Sequence, residues 1–421
     1  MQLIYSPIEI LNSMKRSIDQ EKISKNAVSV ISKLNKEGFE AYLVGGCIRD
    51  LLADNVPKDF DIATNAHPLD IRKIFRNSRI VGKRFQIVHV RFEREILEVS
   101  TFRRLDTELI ENQSDSGMIL RDNSFGSLEE DSLRRDFGIN AIYYNPISKQ
   151  LVDLQGGVDD ISRKVIRSIG PIDLRLREDP VRMLRAIRIS EKLGFELEND
   201  IEESIRIEAH LIQDVSPARL FEESLKMFMA GYGARVFLKL KELDVYKWIF
   251  PNNGSPLKES NLELLIRKAL ESTDQRVLKD MPITPAFIYA SILWYPFLAE
   301  RSRNIKELGL NNYDASNEAA SSVLSKQQLI TSIPRRFSTP IKDIWFLQFR
   351  LNSRSGKKPF RTLQHKRFRA SYDFLLIREA AGEKTGDLGD WWTAYQAASD
   401  EEKQNLQKSP RKKNHTSGFR K

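Results

Sequence analysis

Two aspartates one residue apart, Asp59 and Asp61 in "DFDIAT", follow shortly after the paired glycines Gly45 and Gly46 of "LVGGCIRDLL". On a strand, the period of two turns both carboxylates to one face while Phe60 and Ile62 point to a core. Such a pair suits a hard dication. Mg²⁺ wants octahedral oxygen ligands and usually takes one or two carboxylates plus substrate phosphates, and two ions about 3.5 to 4 Å apart clamp an in-line displacement at phosphorus. An Asp-x-Asp pair alone is more commonly a polar strand end. The glycines change that weighting, because a Gly-Gly turn feeding a helix lets backbone N–H groups approach a phosphate, with Arg49 one turn in as a charge-assisted contact. Taken singly, each glycine is also explained by a tight turn. Together, a phosphate cradle beside an acid pair describes a nucleotidyltransferase.

A third carboxylate completes such a site, and the residues offer two. Glu98 alternates with Leu97 and Val99 in "ILEVSTF", which turns it to the side of Asp59 and Asp61 as a ligand or as the general base for an attacking hydroxyl. Asp136, in "RRDFGIN", ends a helix with Arg135 beside it, where a surface ion pair accounts for it equally. Spacing leaves both open. Further on, "REDPVRMLRAIRIS" sets Arg182, Arg185 and Arg188 three residues apart, one stripe of a helix whose other side buries Met183, Leu184 and Ile187. Asp179 before Pro180 fits an N-cap followed by Pro at the first helical position. The same carboxylate could accept from an adenine amino group while an arginine donates to ring nitrogens.

The elements that must position these residues follow from periodicity. Ala27, Val30, Ile31 and Leu34 recur at helical spacing over 25–37, Gly38 ends that helix, and "AYLV" reads as a strand. "CIRDLLAD" reads as a short helix, "DFDIAT" as a strand, "HPLDIRKIFRN" as a helix opened by Pro68, and "FQIVHVRF" and "ILEVSTF" as a hairpin. Residues 104–123 are polar and aperiodic, a mobile loop by pattern, and "SLEE" (Ser127 to Glu130) is a capping box. After "AIYYNP", helical patterns dominate: 179–194, 198–210, 217–230, 233–244 and on to about 350. The apolar "AFIYASILWYPFLA" (286–299) is too short for the roughly 20 residues of a membrane span and reads as a buried helix. The class expected is α+β: a small head with a mixed sheet (25–158) after an extension (1–24), a helical neck (159–230), a helical body (231–349) and a basic C-terminal region (350–421) ending in a disordered tail.

The 421 residues carry a net charge of +9, unevenly spread. Residues 350–369 hold eight Lys/Arg and no acid, and 408–421 hold six and no acid; without these the rest of the chain is net acidic. Acid-free runs interleaved with Phe360, His365 and Phe368 suit a phosphate backbone with some base stacking, from Lys357, Lys358, Arg361, Lys366, Arg367 and Arg369. A solvated tail explains 408–421 about as well. The single cysteine, Cys47, excludes an internal disulfide, and the N-terminus lacks the pattern of a signal peptide, so a reducing, cytoplasmic setting is expected. None of the five histidines is followed by Asp, which excludes a His-Asp phosphohydrolase module.

"GGCIRD", "DFDIAT", "EVSTFR", "RRDFGINAIYY", "DPVRMLRAIR" and "PARLFEES", in that order over roughly residues 25 to 250, resemble the class II nucleotidyltransferases, which comprise bacterial poly(A) polymerases and tRNA CCA-adding enzymes. "RIVGKRFQIVHV" (79–90) and "HKRFRASYDFLLIR" resemble the poly(A) polymerase versions of those segments. The resemblance implies a polymerase-β-like palm, a neck that reads the incoming base and a body that holds RNA. It implies a metal pair at Asp59 and Asp61, a third acid at Asp136 or Glu98, and triphosphate and ribose contacts from Gly45, Gly46, Arg49, Arg135 and Asn140. The base-reading motif falls on Asp179, Arg182, Arg185 and Arg188. Gly138 stands where Thr is common, and Ile189-Ser190 where Phe-Ala is common. The activity implied is template-independent, Mg²⁺-dependent addition of AMP from ATP to RNA 3′ ends, promoting RNA turnover. CCA addition to tRNA and a non-catalytic RNA-binding protein with a relic head are the alternatives. RNA 3′ ends and ATP are the expected partners, with RNA-degradation or RNA-chaperone proteins beside them and a monomeric state.

Overall fold

The computed structural model describes residues 18–82, 86–93, 95–104, 125–251 and 259–408. Two compact units divide the chain, Met1–Asp214 and Val215–Lys421, and their boundary lies inside the segment 159–230 read from the sequence as one neck.

The first unit is built on a seven-stranded mixed sheet of order β3-β4-β5-β2-β1-β6-β7. Helix α1 (Lys25–Lys36), capped by Ser24 accepting from the Ala27 amide, buries Ala27, Val30, Ile31 and Leu34. It leads into β1 (Ala41–Val44), α2 (Gly46–Leu52), β2 (Asp61–Thr64) and α3 (Pro68–Ile74). Then come β3 (Ser78–Val81), β4 (Ile87–Arg91) and β5 (Ile96–Thr101). On β4 and β5 Val88, Val90, Leu97 and Val99 are fully buried while Glu98 is exposed, the alternation that one-sided burial dictates. β2 runs parallel to β5 and antiparallel to β1. The capping box at Ser127 and Glu130 opens α4 (Leu128–Arg134) as its sequence predicts. β6 (Ile142–Asn145) and β7 (Gln150–Asp153) close the sheet. β3 and β7 are four-residue strands that period-two counting passes over, too short to show alternation.

The chain continues through α5 (Gly157–Arg163), β8 (Val165–Ile166), α6 (Ile172–Glu178), α7 (Val181–Leu193), β9 (Glu196–Leu197) and α8 (Asn199–Glu208). The single helix expected over 179–194 begins only at Val181. Asp179 ends α6 in an extended conformation, as a residue before proline is pushed to do.

Among the described residues the second unit is helical: α9 (Pro217–Phe228), α10 (Gly233–Glu242), α11 (Tyr246–Ile249), α12 (Glu259–Leu278), α13 (Pro285–Ile292), α14 (Trp294–Leu308) and α15 (Asn312–Gln328) come first. α16 (Arg335–Leu351), α17 (Lys358–Leu363), α18 (Phe368–Ala380), α19 (Leu388–Ala397) and α20 (Asp400–Lys408) follow. The apolar run 286–299 is two helices, not one: α13 closes at Leu293, and Pro296 falls in the first turn of α14, where its missing N–H leaves no hydrogen bond broken. Its burial is as expected, with Phe297 stacked on Trp345 at 4.6 Å and the Trp345 indole donating to the Ala290 carbonyl. No described helix is long and apolar enough to cross a membrane.

Candidate active site

β1 delivers the chain to a turn at Gly45, whose φ of 78° and ψ of −131° lie where a side chain is strained. A Cβ added there would sit 3.6 Å from Arg135 Nη1 and 4.0 Å from Asp61 Oδ2, so turn, guanidinium and carboxylate adjoin. Asp61 opens β2, and Asp59 lies in the lead-in before the strand, so the period-two argument reaches only Asp61. Phe60 and Ile62 are buried as that argument requires. Asp61 pairs in register with Glu98 on β5, and Glu98 faces His89 across to β4, with Nε2 at 3.4 Å.

Burial, followed by the negative charge of Glu98, pushes the Asp61 carboxyl up to about 6; Asp59 adds to the rise, and Arg135 and Arg185 oppose it. Asp61 nevertheless presents an exposed surface at the start of β2, so a solvent-borne ion has access to it. Hard oxygen donors crowded into mutual repulsion are a donor set that a dication relieves. Among the described residues no three of His, Cys, Asp and Glu are gathered into a ready-made cage. Mg²⁺ rarely needs one, since substrate phosphates and water complete its shell, and the oxygens of Asp61, with the charges of Asp59 and Glu98 acting on it, are of the donor type the ion takes.

Asp136 is held elsewhere. Its carboxylate accepts from the Phe137 amide and the Asn140 amide on one oxygen and from Arg185 at 2.6–2.7 Å on the other. Burial alone would raise it, yet the Arg185 guanidinium and the Asn140 amide hold it down at about 2. Arg49 also turns inward: Nη1 donates to Asn140 Oδ1 at 2.8 Å, and Nε and Nη2 donate to Asp50. Asp50 in turn takes Lys192 Nζ at 2.6 Å. Lys192, Asp50, Arg49, Asn140, Asp136 and Arg185 therefore form one polar chain that leaves α7 and returns to it two turns away. Asp50 and Lys192 are absent from the sequence reading. The only signal for them is a carboxylate beside Arg49 in a short apolar helix and a lysine seven residues after Arg185.

Arg135, packed over the Tyr143 ring at 5.2 Å, donates to Asp131 Oδ2 and the Tyr143 hydroxyl, which keep it firmly protonated. Its neighbour Arg134 belongs to a cluster with Arg103, Arg175 and Arg182; burial, then these like charges, lower it to about 10. Arg103 and Arg175 are further cations that spacing alone misses. Such a concentration favours an anion. Arg182 donates to Glu178 at 2.9 Å, Arg185 holds Asp136, and Arg188 has a buried Nε with no hydrogen-bond partner. Met183, Leu184 and Ile187 fill the core on the other face of α7. Asp179 accepts from the Val181 amide at 3.4 Å, but the N-cap position of α7 is Pro180 and its first residue Val181, so the expected Asp179 cap with proline at the first helical position lies one residue out.

In the second unit, Lys357, Lys358 and Arg361 are exposed around α17 beside a half-exposed Phe360. Phe368, expected to be available for stacking, is instead core, packed with Tyr372, Trp391 and Trp392 on the inner face of α18. His365 spends its Nδ1 on the Arg367 amide. Arg369 pairs with Asp373 at 2.7 Å. Residues 409–421 of the basic tail, and the loop 105–124, lie outside the described residues.

Three family models match the chain: "Poly A polymerase head domain" over residues 41–167, "Probable RNA and SrmB- binding site of polymerase A" over 194–253, and "Polymerase A arginine-rich C-terminus" over 308–421. Poly(A) polymerase I of Haemophilus influenzae is 44% identical over 94% of this chain and 90% of its own length. A CCA-adding enzyme of Lactobacillus helveticus is 36% identical over 50% of this chain and 51% of its own length. Among solved structures, the Bacillus stearothermophilus CCA-adding enzyme in complex with CTP aligns with a TM-score of 0.55 at 26% identity, over 87% of this chain and 80% of that one.

Proposed function

The chain belongs to the bacterial poly(A) polymerase family, and we propose that it adds AMP from ATP to RNA 3′ ends without a template, releasing pyrophosphate. The observation that carries this is the Asp61–Glu98 register pair set against the Gly45 turn and Arg135, acids beside a glycine turn and a guanidinium. The arginine-rich C-terminal match separates it from the CCA-adding relative, whose likeness spans only half the chain.

In this reading Asp59 and Asp61 hold Mg²⁺, which supplies charge neutralisation at the triphosphate and a more acidic 3′-hydroxyl. Glu98, exposed beside Asp61, is the third acid and takes the attacking proton. Asp136 is a positioning residue: its lone pairs are taken by Arg185, Asn140 and the Phe137 amide, so it fixes α7 instead of touching substrate. The Gly45-Gly46 backbone and Arg135 receive phosphates, and the Arg103, Arg134, Arg175 and Arg182 cluster attracts them electrostatically. Asp179 and the α7 arginines read the base. The enzyme works as a cytoplasmic monomer, for which a single buried Cys47 is suited, and passes its product to RNA-degradation or RNA-chaperone proteins.

The test is a gel. Purified protein with a short RNA and Mg²⁺ is expected to give a ladder with ATP and little with CTP, and to ignore tRNA lacking its terminal CCA as a special substrate. A stop after CCA on that tRNA assigns the CCA-adding reading, and no incorporation at all assigns the relic head.

A further inference from the structure

Within the second unit a cavity of about 200 Å³ lies between α12, the turn before α13 and the start of α18. Drug-sized pockets run from about 300 to 1,000 Å³, so this one admits a single flat ring system. Its wall is apolar, from Pro282, Ile283 and the half-buried Phe287. Its other lining residues include Arg276, Lys366, Arg367 and Arg369 against one carboxylate, Asp373. Asp373 already holds Arg369 at 2.7 Å and Arg276 at 3.7 Å, and Arg276 Nε donates to the Pro282 carbonyl, which fixes the mouth. Arg367 is among the lining residues, its guanidinium anchored by an Nε that is buried and has no hydrogen-bond partner. An apolar side chain leaves the surplus of cations unmatched, and a lone carboxylate leaves the apolar wall unused. A nucleotide within a strand has a π-face, ring acceptors and phosphates on either side, and so answers every feature.

We propose that this cavity takes one unstacked base of a bound single-stranded RNA, its ring against Phe287 and Ile283, an acceptor on the Arg367 guanidinium, and its flanking phosphates on Lys366 and Arg369. The proposal rests on the RNA-binding part of the reading above and not on the polymerase chemistry. It gives the enzyme a second grip on RNA that depends on a base and not only on phosphates.

The test uses the full chain and oligo(A) carrying a single 2-aminopurine at successive positions, with neither ATP nor Mg²⁺ present. A fluorescence change on binding confined to one or two adjacent positions is expected, and free AMP at the same total base concentration is expected not to displace it, because the flanking phosphates are part of the fit. Ser272→Leu, which adds bulk at the cavity wall, and Arg367→Gln, which removes the guanidinium, are expected to abolish that local change and to weaken binding roughly tenfold, the scale of one stacked base. Ser272→Leu is expected to keep the wild-type dependence on salt, since every cation that meets a phosphate is still in place. A uniform response along the strand, displacement by free AMP, or wild-type behaviour of both variants overturns the proposal. If Ser272→Leu does not fold, the position scan and Arg367→Gln decide alone. A protein that binds as described yet incorporates no AMP sinks the polymerase reading and leaves this one standing.

Discussion

Asp61 and Asp136 are carboxylates of the same unit with opposite environments, one pushed up to about 6 and the other held at about 2. The difference assigns them separate work. Asp59→Ala and Asp61→Ala are expected to lower AMP incorporation by about 10³-fold or more, the scale of losing focused charge stabilisation, and Glu98→Gln to follow them. Asp136→Asn is expected to retain more activity than Glu98→Gln at saturating substrate; the reverse order in single-turnover rates would make Asp136 the third acid. Asp136 also predicts how stability follows pH. Its folded value lies below the ordinary carboxylate value of about 3.9, so its contribution is complete above that pH and is lost as pH falls toward 2. The shift corresponds to roughly 2 to 3 kcal/mol. Thermal melts from pH 6 to pH 2 are expected to show a shallower acid decline for Asp136→Asn than for wild type, from a lower starting point because Arg185 loses its partner.

At the scale of elements, the Gly45 turn and α7 set the geometry. Gly45→Ala is expected to cost about 1 to 3 kcal/mol through its backbone angles, the added Cβ meeting Arg135 and Asp61 only at ordinary contact distance, and to raise the KM for ATP as the strained turn shifts; an unchanged melting point and KM would mean the turn relaxes freely. Asp179 lies just before α7, and Asp179→Ala is expected to lower the preference for ATP over CTP roughly tenfold. A lower melting point with selectivity kept would make it a cap and nothing more. Much of this layout is legible in sequence, because each clue is local: "SLEE" closes its own capping box, and Val88, Val90, Leu97 and Val99 alternate against Glu98. The parallel pairing of β2 with β5 is not local, and no spacing rule sets Asp61 opposite Glu98. The same holds for Lys192 reaching Asp50 and for Phe368, whose place in a basic run suggested a surface that its core packing denies.

Across the whole chain, the positive excess sits in 350–369 and 408–421, far from the acid set in sequence. A polymerase without a template needs a grip indifferent to sequence, which phosphate contacts supply and salt weakens. Neutralising Lys357, Lys358 and Arg361 together is expected to flatten the logarithmic salt dependence of oligo(A) binding by about 0.7 for each phosphate no longer neutralised. Truncation before Lys408 is expected to act in the same direction, with the KM for ATP unchanged. Identical slopes between about 50 and 200 mM salt would reduce both segments to solvated surface. In the first unit, the circuit from Lys192 through Asp50, Arg49, Asn140 and Asp136 to Arg185 alternates donor and acceptor at nearly every step. Removing one member strands its neighbour's charge or dipole in a buried setting, whereas replacing two adjacent members by a matched pair keeps every proton and lone pair matched. These six positions are thereby coupled: a change at one is felt most in the buried middle of the circuit, at Arg49, Asn140 and Asp136, and least at its partly exposed ends, Lys192 and Arg185, because Asp50 keeps Arg49 when Lys192 is gone.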